Sequence, residues 1–252
     1  MAVDHSNSKR QSVMLTADVS SYSIKTVNLA VELAVSVNTK LHVLFIEDED
    51  LLQVAGLPCS SEITLTTACK RPTSTDLMQR SLRSLAQQFK QTLQQQAQAS
   101  NIAWSFDTVR GRVRDISLEF ESDATYTILG HSLKHRLQSR RTHGPRKILI
   151  ISNDSPHQQQ ALEMLLRRFS QEKIELWLAN GDTEIEVSPE MTNQINNNDY
   201  DVRLIGFDRR KMNVLLDREG SSFDCAIASK HEQIEELTPI LKKLYCPIIL
   251  VA

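Results

Sequence analysis

The most chemically loaded stretch of the 252-residue chain is LGHSLKHRLQSRRTHGPRKILII, Leu129 to Ile151. It carries Lys134, Arg136, Arg140, Arg141, Arg146 and Lys147 together with His131, His135 and His143, set between two apolar, strand-like runs. Cationic side chains at this density can hold a nucleotide or another anion through charge-assisted hydrogen bonds. The same composition also makes a solvated connector, and THGPRK has the Gly-Pro signature of a turn. The connector is the favoured reading, because the stretch lies where two halves of the chain would join. The three histidines match no compact ligand spacing and have no Cys or acidic residue among them, so no metal site is expected.

Other residues with chemical potential stand at strand ends. VMLTAD closes on Asp18 and ILIISND closes on Asp154, each followed by Ser and then by an amphipathic helical pattern. In parallel sheets the crevice beyond the carboxyl ends of the strands is where ligands bind, so Asp18 and Asp154 are binding candidates. Both are equally suited to cap the helix that follows. No catalytic residue is assigned: G-x-S-x-G, G-x-x-x-x-G-K-[ST] and G-x-G-x-x-G are all absent.

These residues must be carried by strands and helices in alternation. SVMLTADVS reads as a strand, and Ile24, Val27, Val31 and Ala34 follow at helical spacing. LHVLFIED is a second, continuously apolar strand suited to burial on both faces. A long excursion leads to a helix striped by Met78, Leu82, Leu85, Phe89 and Leu93, with its glutamines on the polar face. IAWSFDTVRG and TYTILG supply two more strands, with a helix in RVRDISLEFES between them. RKILIIS restarts the pattern, followed by a helix, IELWLANG, DVRLIGFD, a helix in RKMNVLLDRE, FDCAIAS, a helix in EQIEELTPILKKL and CPIILVA. This is a repeat of about half the chain whose first copy has no clear fourth helix and fifth strand: either KHRLQSRR is a short remnant helix, or KILIIS opens the second copy and the first is truncated. Alternation of this kind predicts an α/β fold with parallel sheets covered by helices on both faces.

An apolar strand ending in Asp18, the Ala-rich helix, LHVLFIED, the excursion, VRG before a helix, TYTILG and the closing KKLYCPIILVA together resemble the universal stress protein family. The resemblance covers most of the chain as a tandem-domain member. It implies two Rossmann-like domains, of the adenine nucleotide alpha hydrolase-like kind, at residues 1–140 and 141–252, with the boundary inside 131–146. By resemblance, Asp18 and the backbone at Val43 would hold adenosine, with Gly111 at the third-strand turn and Gly130 opening the phosphate segment. His131, Ser132 and Arg136 complete that candidate set, and Asp154 and Ser155 are its counterparts in the second half.

The family's Gly-x2-Gly-x9-Gly-Ser/Thr phosphate segment is degenerate here: Leu133 and His143 stand where glycines are expected, and Gly144 replaces the Ser or Thr. In the second half Ser229 takes the first glycine position and no glycine follows. A Cβ where backbone must approach a phosphate removes the cradle. The expected function is therefore a non-enzymatic stress-response or regulatory protein acting through ligand or protein binding. The alternative is an ATP- or AMP-binding protein using the first-half crevice, with slow ATP hydrolysis.

A net charge of −2 gives no global attraction to nucleic acid or an anionic membrane. No apolar run approaches the roughly 20 residues of a membrane helix. Cys59, Cys69, Cys225 and Cys246 form no C-x-x-C pair, and MAVDHSNSKRQS has no apolar signal core, so a cytoplasmic protein is expected. A protein partner and a homodimer are the expected associations.

Overall fold

A computed structural model describes residues 11–21, 23–63, 68–112, 124–130, 144–151, 155–180, 201–208, 212–230 and 243–252. The helix read from RVRDISLEFES, most of the one read from EQIEELTPILKKL, and residues 131–143 lie outside these.

In chain order the elements are β1 (Val13–Asp18), α1 (Ile24–Ser36), β2 (Leu41–Asp48), α2 (Glu49–Ala55), β3 (Ser61–Ile63), β4 (Lys70–Pro72), α3 (Thr75–Ala99), β5 (Trp104–Gly111) and β6 (Tyr126–Leu129). They continue with β7 (Arg146–Ile151), α4 (Pro156–Arg168), β8 (Ile174–Asn180), β9 (Val202–Asp208), α5 (Met212–Glu219), β10 (Cys225–Ser229) and β11 (Ile248–Val251).

Helix boundaries follow from local chemistry. Ser23, Ser74 and Ser155 are the N-caps of α1, α3 and α4, each accepting a backbone N–H from the first turn. The C-termini of α1 and α3 share a left-handed asparagine, Asn38 at φ 49° and Asn101 at φ 52°. The next N–H then turns back into the helix, Thr39 to the Ala34 carbonyl and Ile102 to the Ala97 carbonyl. The excursion after Asp48 is ordered as α2 and the short β3–β4 hairpin rather than as a plain loop.

The large sheet has nine strands in the order β5-β2-β1-β6-β11-β10-β7-β8-β9. Two separate sheets are the expectation from the repeat, and the structure joins them into one. Read from one edge, the strands run third, second, first and fourth of their half; read from the other edge, β9-β8-β7-β10 repeats that order, and β11 is added. Register repeats too, since Val13 lies beside Leu41 and Arg146 beside Ile174 at the same separation along the chain. RKILIIS is thus the opening strand of the second set, and β11 has no counterpart among the described residues of the first. Neighbours pair in parallel except at β6–β11, where four antiparallel pairs join the halves.

Strands in the middle of such a sheet are buried on both faces, and β1, β10 and β11 have no exposed position. One core runs under both halves: Leu15 and Val13 of β1, Ala30 and Leu33 of α1, Ile148 and Ile150 of β7, and Leu162 and Leu166 of α4 belong to a single cluster. Arg168 of α4 pairs with Glu32 of α1 across the seam. The opposite face of the second half packs Leu149 and Ile151 against Met212 and Leu216 of α5. In the first half, Phe89 of α3 meets Phe45 and Phe106, each at 5.9 Å between ring centroids.

The seam carries polar contacts besides its ladder. Lys230 Nζ donates to the Ala124 carbonyl and to Thr127 Oγ1, both at 2.7 Å. Tyr126, fully buried, donates its hydroxyl to Gln160 Oε1 of α4 at 2.6 Å, and burial pushes its pKa up to about 12.

The four cysteines separate sharply by environment. Cys225 and Cys246 are buried on opposite faces of the sheet, whereas Cys59 and Cys69 are exposed. Burial pushes the Cys225 thiol up to about 12 and the Cys246 thiol well above its usual range. An aromatic disulfide reagent at mildly alkaline pH is therefore expected to titrate two thiols in the native protein and four after denaturation. Rapid native labelling of Cys225 or Cys246, located by peptide mapping, would contradict this packing.

Candidate functional site

The first half's sheet order reverses direction between β1 and β6, and their carboxyl ends, Asp18 and Gly130, define a crevice of the kind that holds ligands in open α/β sheets. Both residues come from short apolar strands whose register is fixed by burial on two faces. Asp18 itself is buried at 5% exposure. Its Oδ1 accepts the Ser21 N–H at 2.8 Å and its Oδ2 accepts the Ser20 hydroxyl at 2.7 Å. The Asp18 N–H in turn donates to Ser21 Oγ at 2.7 Å. Asp18 therefore closes its own turn and does not cap α1; that role belongs to Ser23, whose side chain competes better because it directly precedes the first helical turn.

Gly130 is where the turn is received. A Cβ placed there would stand 2.9 Å from Ser21 Cβ and 3.1 Å from the Ser21 carbonyl oxygen. The Gly130 N–H donates to the Thr16 carbonyl at 3.1 Å, continuing the β1–β6 ladder. Glycine is required at this position by the close approach of the chain's own Ser21. On that side of Gly130 the space is taken by Ser21.

The remaining sequence candidates divide. Gly111 ends β5 and lies beside Asp48, at the same edge as Asp18 but two strands away. Val43 is fully buried in mid-β2, level with Leu15 rather than with Asp18, so the structure does not bring it to the crevice. Ser155 accepts the Gln158 N–H at 3.1 Å as the α4 cap. His131, Ser132, Arg136 and Asp154 lie outside the described residues.

Among the described residues, the charge at this edge is predominantly negative. Glu47, at 7% exposure, pairs with Arg110 at 3.2 Å, and Asp50 pairs with Arg112 at 3.2 Å. Asp48 accepts the Asp50 N–H at 3.0 Å and caps α2. Burial, with smaller contributions from the Asp50 and Asp18 charges, raises the Asp48 pKa against the lowering effect of its backbone hydrogen bonds. Among the described residues the two arginines beside these carboxylates are already paired with them. No group of three or more His, Cys, Asp or Glu suited to a metal ion is found among the described residues.

The basic stretch is described only at its end. Arg146 donates to Glu172 Oε2 at 2.6 Å and Asp224 Oδ1 at 3.0 Å and lies 5.5 Å from the Phe169 ring centroid. Lys147 approaches Glu175 at 4.0 Å and the Trp177 ring centroid at 5.1 Å. These two cations hold β7 to its neighbours. At the corresponding end of the second half, Ser229 is buried and Lys230 turns into the seam.

Sequence reasoning singled out Asp18 and Gly130 but missed what joins them. The signal was Ser20 and Ser21: Asp followed two and three places on by Ser is a local turn pattern, since short polar side chains bond nearby backbone.

Comparison with solved structures finds similarity to a universal stress protein from Archaeoglobus fulgidus, with 10% identity, TM-score 0.49, and coverage of 96% of this chain and 97% of that one. A putative universal stress protein from Pseudomonas aeruginosa is also similar, with 10% identity, TM-score 0.40 and coverage of 96% and 94%. No family model matches the chain. No curated protein matches it either. No helix among the described residues is long and apolar enough to cross a membrane.

Two outcomes follow from the crevice. Gly130→Ala should lower stability by about 1–3 kcal/mol in urea unfolding, as overpacking does, and Ser21→Gly in the same chain should recover part of the loss. The raised Asp48 pKa means that the native state holds the Asp48 proton more tightly than the unfolded state, so the ionised carboxyl is unfavourable at neutral pH and its contribution improves as pH falls through the raised range. Asp48→Asn, which keeps the cap acceptor, should be at least as stable as the parent at pH 7, with the difference closing on acidification; lower stability at pH 7 would refute this.

Proposed function

We propose that this chain is a non-enzymatic regulatory protein of stress-response type that acts through binding, with protein partners favoured over nucleotide turnover. It is read as two Rossmann-like domains, 1–140 and 141–252, meeting within residues 131–146, and the repeated strand order supports that division. The observation that carries the functional reading is Ser21 seated against Gly130. A phosphate held at this switch point needs backbone N–H groups facing open space, and the chain's own turn fills it. Among the described residues, Asp18 and Asp48 at the same edge add negative charge that a polyphosphate would meet. A cytoplasmic location accords with four unpaired thiols.

One feature favours the second reading, an ATP- or AMP-binding protein: Asp18 is a buried carboxylate beside the order reversal, where it could accept from a ribose hydroxyl or adenine amine. A single titration separates the two. Thermal unfolding is followed with ATP or AMP at millimolar concentration, where a ligand at about 100 times its dissociation constant would stabilise the protein by about 2.7 kcal/mol. The expected result is an unchanged midpoint. A nucleotide-dependent rise that Asp18→Ala abolishes would overturn the favoured reading and establish the second.

A further inference from the structure

Among the described strands, β5 is an edge of the nine-stranded sheet and pairs only with β2. Their parallel register places His42 directly beside Ser105. Because side chains alternate along a strand, Asp107 stands on the same face as Ser105, one step further on. The imidazole bridges both: His42 Nδ1 lies 2.7 Å from Ser105 Oγ, and Nε2 lies 3.7 Å from Asp107 Oδ2. The hydrogen bond at Nδ1 and the carboxylate on the Nε2 side together favour one orientation of the ring. A carboxylate facing Nε2 favours the tautomer protonated there, which leaves the Nδ1 lone pair to accept the Ser105 proton.

Nothing about the fold calls for this cluster. The β2–β5 ladder runs from Leu41–Trp104 to Asp48–Gly111, and Leu44, Ile46 and Val109 form the apolar contact further along the same face. The polar group sits in the open: the His42 and Asp107 side chains are 37% and 66% exposed, and Ser105 is exposed. A hydroxyl within hydrogen-bond reach of a base, with a third group orienting that base, is the arrangement that activates a nucleophile.

We propose that Ser105 is an acyl-accepting hydroxyl, with His42 as its general base and Asp107 as the residue that positions His42. The acyl donors are esters with a good leaving group. Ser105 Oγ bonds to the donor carbonyl carbon while its proton passes to His42 Nδ1. The carbonyl carbon–oxygen bond to the leaving group then breaks, and the departing aryloxide takes up that proton directly or through solvent. The product is an ester on Ser105. In so shallow a setting the donor is selected by reactivity rather than by shape, so the site takes a covalent modification.

The test treats the full chain with p-nitrophenyl acetate and maps acetylated peptides by mass spectrometry. Hydroxylamine distinguishes the esters it cleaves from the lysine amides that resist it. Ser105 should gain hydroxylamine-sensitive acetyl at least about tenfold faster than the exposed Ser81 and Ser100. Since a general base contributes typically about 10²–10⁴-fold, His42→Gln should slow Ser105 acetylation by at least about tenfold, and Asp107→Asn by less. Acetylation of Ser105 no faster than that of Ser81 and Ser100, or a rate untouched by His42→Gln in a chain of parental melting temperature, would overturn the proposal. If His42→Gln does not fold, the comparison among serines in the unaltered chain decides alone.

Discussion

The antiparallel contact between β6 and β11 is the constraint on which the rest of the molecule depends. Only four residue pairs make this ladder, yet it turns two parallel sets of strands into one sheet. Its strength comes from position rather than length. Tyr126, Ile128, Ile249 and Val251 are buried in the core that also takes in α1 and α4, so the seam is covered by packed apolar surface. Lys230 and Tyr126 add part-buried polar contacts that cross the seam. Because the two sets meet head to tail, the carboxyl ends of their strands face opposite edges of the sheet. Any crevice in one half is thereby remote from its counterpart in the other.

That separation lets the two edges diverge. At the first, a serine-rich turn folds back on Asp18 and lodges against Gly130. At the second, the place of that glycine is taken by Ser229, and the following lysine is drawn into the seam. In both, groups that could face a ligand instead satisfy the chain itself. Among the described residues the surroundings of Asp18 are acidic, and Arg110 and Arg112 are matched to carboxylates. A binding protein that works through its outer surface is consistent with such internal closure.

Much of the architecture could be read from residue patterns. Continuous apolar runs marked the buried strands, and the stripe of Leu82, Phe89 and Leu93 marked the long helix, because burial on defined faces imposes those periods. The restart of the strand pattern at RKILIIS was also visible. What could not be read was the identity of the strand lying next to β6, since antiparallel partnership across the chain leaves no local imprint. Asp18 does stand at a strand end, but its capping role falls to Ser23, a competition between neighbouring polar side chains that spacing alone does not resolve. The contact of Ser21 with Gly130 and the meeting of His42 with Ser105 and Asp107 were illegible for a common reason. Each joins residues from different strands, and only the register of the finished sheet brings them into reach.

The placement of β11 at the centre of the sheet has a consequence for synthesis. The ribosome delivers β6 long before β11, so through much of translation the early strands have an uncovered flank of free backbone donors and acceptors. Such a flank invites pairing with a neighbouring nascent chain, which makes the interval a window for misassembly and for chaperone capture. The arrival of β11 is what shuts that window.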